Sequence, residues 1–232
     1  MEQFFPVLQR CALFQQVDTG DLPALLHCLG AKVILFEKKY TILAEGNPAK
    51  YIGVLLSGSA QIVQIDYYGN RTILSHISPG QIFGEAFACA GLAALPVMVI
   101  AAENSEVMLL EYQRLVRPCS SACGFHQQLI FNLMQALAVK NILFHQKAEV
   151  TAKRTTREKL MTFLLQQAKQ AGSSSFQIPF DRQELADYLE VERSGLSAEI
   201  SKLRREGVLE SRKKQFTLLQ NPLPEKPKQA YL

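Results

Sequence analysis

Residues 181–209, DRQELADYLEVERSGLSAEISKLRREGVL, carry the pattern that decides the fold of the C-terminal third. Asp181 with Glu184 three residues on is a capping box in which Asp stands for Ser or Thr, so a helix starts there. The spacing predicts a short first helix, a turn of about four residues over 190–193, a second helix from Ser194 to Glu206, and a stop at Gly207. ESRKKQFTLL (210–219) follows as a two-stranded hairpin with Lys213 and Lys214 at its tip.

Helix, short turn, helix and hairpin make a winged helix-turn-helix, a unit that lays its second helix in the DNA major groove. The first residues of that helix then meet base edges: Arg193, Ser194, Ser197 and Ala198. Arg193 has the reach for two hydrogen bonds to a guanine. Lys202, Arg204 and Arg205 lie further along, and some of them must face away, because one face of a helix enters the groove. Arg182 and Gln183 open the preceding helix, where the dipole already favours a phosphate. Lys213 and Lys214 suit backbone contact by the wing. Charge placement agrees: residues 1–148 hold 10 Lys+Arg and 10 Asp+Glu, whereas 149–232 hold 15 and 11. A basic C-terminal module is a footprint for nucleic acid, although solvated helices carry similar charge and an excess of four is small.

The chain has 232 residues, one large domain or two modest ones. With 48% hydrophobic and 20% charged residues it is neither a disordered chain nor a disulfide-dense mini-protein. No apolar run reaches the ~18 residues of a membrane helix; LAALPVMVIAA (92–102) is short and holds Pro96. MEQFFPVLQR lacks the marks of a signal peptide, so the expected location is the cytoplasm, with no membrane contact. In residues 1–30, Asp18 reads as an N-cap before Leu22, Leu25, Leu26 and Leu29. From about Lys32 to Glu111, short apolar runs alternate with turns at Gly46, Gly58, Gly69, Gly80 and Gly84, and Tyr68-Gly69-Asn70 marks a hairpin. That spacing predicts an antiparallel jelly-roll.

Phe125 to Ala148 contains no Gly or Pro and reads as one long helix. Ile130, Leu133, Leu137, Asn141, Phe144 and Ala148 form a coiled-coil-like seam; Leu129, Ala136, Val139 and Leu143 form a second stripe. One stripe is expected on the roll and the other on a second subunit, the alternative being burial of both within a monomer. TAKRTT (151–156) reads as a hinge. The expected fold class is α+β: a roll with N-terminal helices over 1–122, a dimerisation helix over 123–150, the winged helix over 151–220 and a flexible proline-bearing tail over 221–232.

These motifs together resemble the Crp–Fnr family of bacterial transcription regulators. The resemblance rests on Gly46 with NPAKY, LLSGSAQIV, YYGNRTIL, SPGQIFGE, the long helix and residues 182–209, and it is to Fnr-like members of Firmicutes more than to catabolite activators. It implies an effector-sensing roll, a dimer and a palindromic operator, with RNA polymerase as a further partner. In cyclic-nucleotide-binding members a Gly-Glu pair is followed by Arg-Ser or Arg-Thr that clamps the phosphate. Gly84 and Glu85 match the pair, but Leu95-Pro96-Val97 stands where the cation belongs, so no cAMP is expected; the pocket should be neutral or apolar, or absent, the alternative for Glu85 being a structural turn residue. The iron–sulfur pattern fits poorly, with only Cys11 and Cys28 near the N-terminus, and Cys89 reads as core. Cys119 and Cys123, three residues before His126, are candidates for redox or metal chemistry or for plain packing. His76 reads as an ordinary residue after a strand, and no haem ligation is expected. Ser194 and Ala198 replace a Glu and an Arg common in relatives, so their half-site does not transfer. Two other readings are a cyclic-nucleotide-responsive regulator and a cupin-like metalloenzyme; the latter needs a His/Glu cluster, and His76 is the roll's only histidine.

Overall fold

The computed structural model describes residues 2–117 and 125–219. Cys119, Cys123 and the tail therefore lie outside the described residues. The chain divides into two compact units between Ile142 and Leu143.

The first unit opens with two short helices, α1 (Phe5–Arg10) and α2 (Leu22–Cys28). The N-cap of α2 is Asp21 rather than the expected Asp18, and its side chain makes no cap bond. Pro23 explains the shift, since proline is at home in the first turn, where no N–H is needed. Eight strands follow: β1 (Lys32–Phe36), β2 (Thr41–Leu43), β3 (Tyr51–Ser57), β4 (Ala60–Ile65), β5 (Arg71–Ile77), β6 (Ile82–Phe83), β7 (Met98–Ala101) and β8 (Ser105–Glu111). The short α3 (Glu85–Cys89) sits between β6 and β7, and α4 (Tyr112–Val116) follows β8. The strands form two antiparallel sheets in the orders β1-β8-β3-β6 and β2-β7-β4-β5. His76 lies within β5, opposite Gln61, rather than after a strand.

β3 shows why its sequence, YIGVLLS, lacks apolar–polar alternation. Its sheet is buried on both faces. Leu55 joins Ile42, Ile77, Phe83 and Val99 in the core between the sheets. Ile52, Val54 and Leu56 face the opposite way, onto Leu8, Leu25, Leu26 and the long helix α5 (Phe125–Thr151). The β4–β5 hairpin is held by Asp66, which accepts from the N–H groups of Tyr68 and Asn70 and from the Asn70 amide. Gly69 there has φ 83°, a left-handed turn conformation that glycine adopts without strain.

The long helix departs from the expected seam. Leu129, Asn132, Leu133 and Ala136 are buried, with Ile130 and Leu137 packed beside them. Leu133, Ile130 and Leu137 therefore belong to the roll core and not to an outward seam, while Asn141 and Phe144 are exposed. Buried Asn132 donates to the carbonyls of Leu13 and Gln15, a tether that draws this face inward. The exposed large apolar residues of α5 are Phe131, Met134, Val139, Ile142, Leu143 and Phe144.

The second unit contains the end of α5, α6 (Thr156–Ala171), β9 (Ser175–Gln177), α7 (Arg182–Leu189), α8 (Arg193–Arg205), β10 (Leu209–Arg212) and β11 (Gln215–Leu218). Thr155 with Glu158 and Asp181 with Glu184 complete capping boxes on α6 and α7, and Gly172 ends α6. The turn after α7 is one residue shorter than expected, because Arg193 is already helical. β9 pairs with β11 and makes the wing a three-stranded sheet, an element the sequence reading missed.

Phe163, Phe180 and Tyr188 form an aromatic cluster, with Phe180 and Tyr188 stacked at 4.7 Å. The Lys147 ammonium lies 4.7 Å from the Tyr188 ring centroid. Burial pushes its pKa down to about 8, against an opposing pull from Glu190. Between about pH 8 and the ordinary lysine value of 10.5, the unfolded chain thus binds the extra proton and stability rises with pH. Lys147→Met should stabilise the protein by about 1–3 kcal/mol near neutrality, and the gain should shrink as pH rises above 8. Denaturant titrations on either side of that pH measure it.

Candidate functional site

α8 turns Leu196, Ile200 and Leu203 inward, residues spaced four and three apart on one face. At 3.6 residues per turn the opposite face carries Ser194, Ala198, Ser201 and Arg205, all exposed. Arg193 and Arg204, eleven residues apart, share one flank with half-buried Ser197. Ser201 donates back to the Ser197 carbonyl at 2.9 Å. Lys202 is exposed but lies toward the other flank, where Arg157 of α6 binds Glu206 at 2.7 Å and Glu199 at 3.4 Å. Those pairs tie that flank to α6 and leave the Ser194–Arg205 face open.

Arg182, the first residue of α7, is half-buried with its guanidinium 5.8 Å from the Phe216 ring centroid. Desolvation lowers its pKa, and the nearby Arg193 and Arg204 lower it further. Three guanidinium groups repelling one another on the unit's surface constitute a standing attraction for an anion. Beside them a concave surface of about 680 Å³ is lined by Gln177, Asp181, Arg182, Arg212, Lys213, Lys214 and Gln215. Four cations against one carboxylate suit a phosphate-bearing strand.

The structure therefore brings Arg182, Arg193, Lys213 and Lys214 into one cationic region. Lys214 is partly engaged, donating to the Pro179 carbonyl at 2.6 Å. Gln183 is exposed and donates to Asp187 on its own helix at 2.7 Å. Arg204, which the sequence placed only further along the helix, and Arg212, which it did not single out, join this region. The strand alternation of the hairpin and the helical angle of α8 were the signals that could have found them.

In the roll, Gly84 takes a left-handed conformation, φ 80°, and a Cβ there would lie 2.9 Å from the Tyr51 carbonyl oxygen. That fixes the start of α3. Glu85, the next residue, is 2% exposed. Its Oε1 meets the Lys140 ammonium of α5 at 2.7 Å, and Lys140 also donates to the Ile82 carbonyl. Glu85 Oε2 is buried without a hydrogen-bond partner. A buried ion pair thus stands at Glu85, with its cation drawn from the long helix rather than from the 86–99 loop. Leu95 and Val97 are buried and Pro96 is exposed. Leu95 is bonded through its backbone to Gly46 and Asn47.

Cys11 is fully buried, and burial raises its pKa to about 11. Cys89 is half-buried; its thiol is raised by burial and hydrogen-bonds Tyr112. His126 is buried, its Nε2 3.0 Å from the Arg114 carbonyl oxygen, rather than held out for a metal.

Residues 33–121 match the cyclic nucleotide-binding domain family, and residues 158–222 match the Crp-like helix-turn-helix domain family. The CRP-like cAMP-activated global transcriptional regulator of Mycobacterium tuberculosis is 29% identical over 79 residues, 34% of each chain. The match thus spans about a third of that relative's length. FixK2 from Bradyrhizobium japonicum is a similar solved structure, with a TM-score of 0.65 and 23% identity over 82% of this chain and 93% of that one. The c-di-GMP responsive global regulator CLP from Xanthomonas campestris has a TM-score of 0.72 and 19% identity over 88% and 100%. At these identities the solved structures establish the shared fold. The Mycobacterium tuberculosis relative is a transcriptional regulator rather than an enzyme, and the C-terminal match is to a helix-turn-helix family, which disfavours the cupin-like metalloenzyme reading.

The buried pair supports a direct expectation. Lys140→Met should cost about 2 kcal/mol, less than a wholly buried pair would, because the Lys140 side chain keeps 36% of its surface in solvent. Adding Glu85→Gln should recover much of the loss, since no lone charge is then buried; urea unfolding of the single and double variants tests it.

Proposed function

We infer that this chain belongs to the Crp/Fnr family and is a DNA-binding transcription regulator with a cyclic-nucleotide-binding-like sensory roll. The observation that carries the reading is the open face of α8 beside the cations Arg182, Arg193, Arg204, Arg212, Lys213 and Lys214, within a region matching the Crp-like helix-turn-helix family. In this reading Arg193 contacts base edges together with Ser194, Ser197 and Ala198. Arg182, Gln183, Lys213 and Lys214 hold phosphates, and Lys202 lies at the edge of the contact.

The protein acts as a homodimer on a palindromic site in the cytoplasm, its two recognition helices about 34 Å apart, and RNA polymerase is a further partner. The dimer contact uses the outward stripe Phe131, Met134, Ala138 and Ile142 rather than Leu133. The roll senses a small molecule other than cAMP, because Leu95-Pro96-Val97 supplies no phosphate clamp and Glu85 is already paired. The subgroup proposed is the Fnr-like regulators of Firmicutes. Cys119 and Cys123 stand as redox candidates in the same sensory role.

Anisotropy titrations of a selected operator over a salt series test the DNA reading. Affinity should fall steeply with salt, and Arg182→Ala or Lys213→Ala should each flatten the log–log slope by about one. A slope of zero would sink it. For the dimer, Met134→Asp with Ile142→Asp should give a monomer in sedimentation and a large loss of operator affinity. Calorimetry should detect no micromolar cAMP binding.

A further inference from the structure

Glu85 and Lys140 differ in how freely they can move. Glu85 follows a glycine whose left-handed backbone leaves no room for a Cβ against Tyr51, and its carboxylate is sealed in the roll. It is a fixed acceptor. Lys140 is a long flexible side chain on α5, with about a third of its surface in solvent and two of its three N–H donors engaged, by Glu85 Oε1 and the Ile82 carbonyl. It is the movable partner. The second oxygen of Glu85 has no donor at all. A buried carboxylate oxygen without a partner is costly, so any group that donates to it changes the balance holding Lys140.

Resting on the sensory role proposed for the roll, we propose that Lys140 is the residue through which the state of the roll reaches the long helix. In its present state the roll holds α5 by a half-satisfied ion pair. Loss of that pair releases this turn of α5. The coupling therefore lies in a tether drawn from the helix itself. Lys140 positions α5 and contacts no DNA.

The experiment measures operator affinity of the full-length chain without added effector for wild type, Lys140→Met, Glu85→Gln, the double variant and Lys140→Arg, well below each melting temperature. Breaking the tether from either side should shift affinity in the same direction, by about fivefold or more, a typical size for coupling between sites. The double variant should shift no further than the singles, and Lys140→Arg should keep the wild-type value. If Lys140→Met folds too poorly, the double variant, which buries no lone charge, carries the same comparison. Unchanged operator affinity across the set would overturn the proposal, as would singles that shift in opposite directions or an additive double. A wild-type chain that binds no operator would instead sink the DNA reading itself.

Discussion

The burial of Leu196, Ile200 and Leu203 on one side of α8 determines what the rest of its unit can do. Once those three side chains are inside, the helix has no rotational freedom left, and every other residue takes its place by angle. Ser194, Ala198, Ser201 and Arg205 face outward because the apolar side is spoken for. Glu199 and Glu206 fall where Arg157 can reach them, and Arg193 and Arg204 fall beside Arg182. The electrostatics of this surface are thus a by-product of packing. Attractive pairs collect on one flank and mutually repelling cations on the other, and the unbalanced flank is the one left for an anion.

The roll is organised by the opposite circumstance. β3 buries both faces, one in the sheet-to-sheet core and one against the N-terminal helices and α5. One face of the helix therefore belongs to the roll's interior along its first four turns, which is why the first part of a seam that looked suited to a partner subunit, Ile130 to Leu137, lies on the roll instead. The Glu85–Lys140 pair extends the same attachment in polar form. A buried charge of this kind adds little net stability but makes the geometry specific, because removing one partner leaves the other stranded.

Much of this was legible in residues. The capping box at Asp181 and Glu184, the stop at Gly207 and the Tyr68-Gly69-Asn70 hairpin depend on neighbours within four positions, and local spacing suffices for them. The seam was misread because heptad spacing tells which residues share a face and not which face meets the protein's own core. Asn132, tied to carbonyls well over a hundred residues away, is what orients the helix. Lys140 was invisible for the same reason: a basic residue in a helical run has no local mark of a buried carboxylate fifty-five positions earlier. β9 was missed because SFQ is three residues long and becomes a strand only by pairing with β11.

One feature of the long helix bears on its mechanics. Its first half is held by the roll and its end by the second unit's core, through Lys147 and Val150. Between them Asn141, Ile142, Leu143, Phe144 and His145 are all exposed in the single chain. More than one full turn is thus supported by backbone hydrogen bonds and intrinsic propensity alone, and β-branched and aromatic residues at Ile142 and Phe144 contribute little of that. A rod continuous in its covalent geometry is therefore two segments in its thermodynamics. Local unfolding would begin at this span, where neither core resists it.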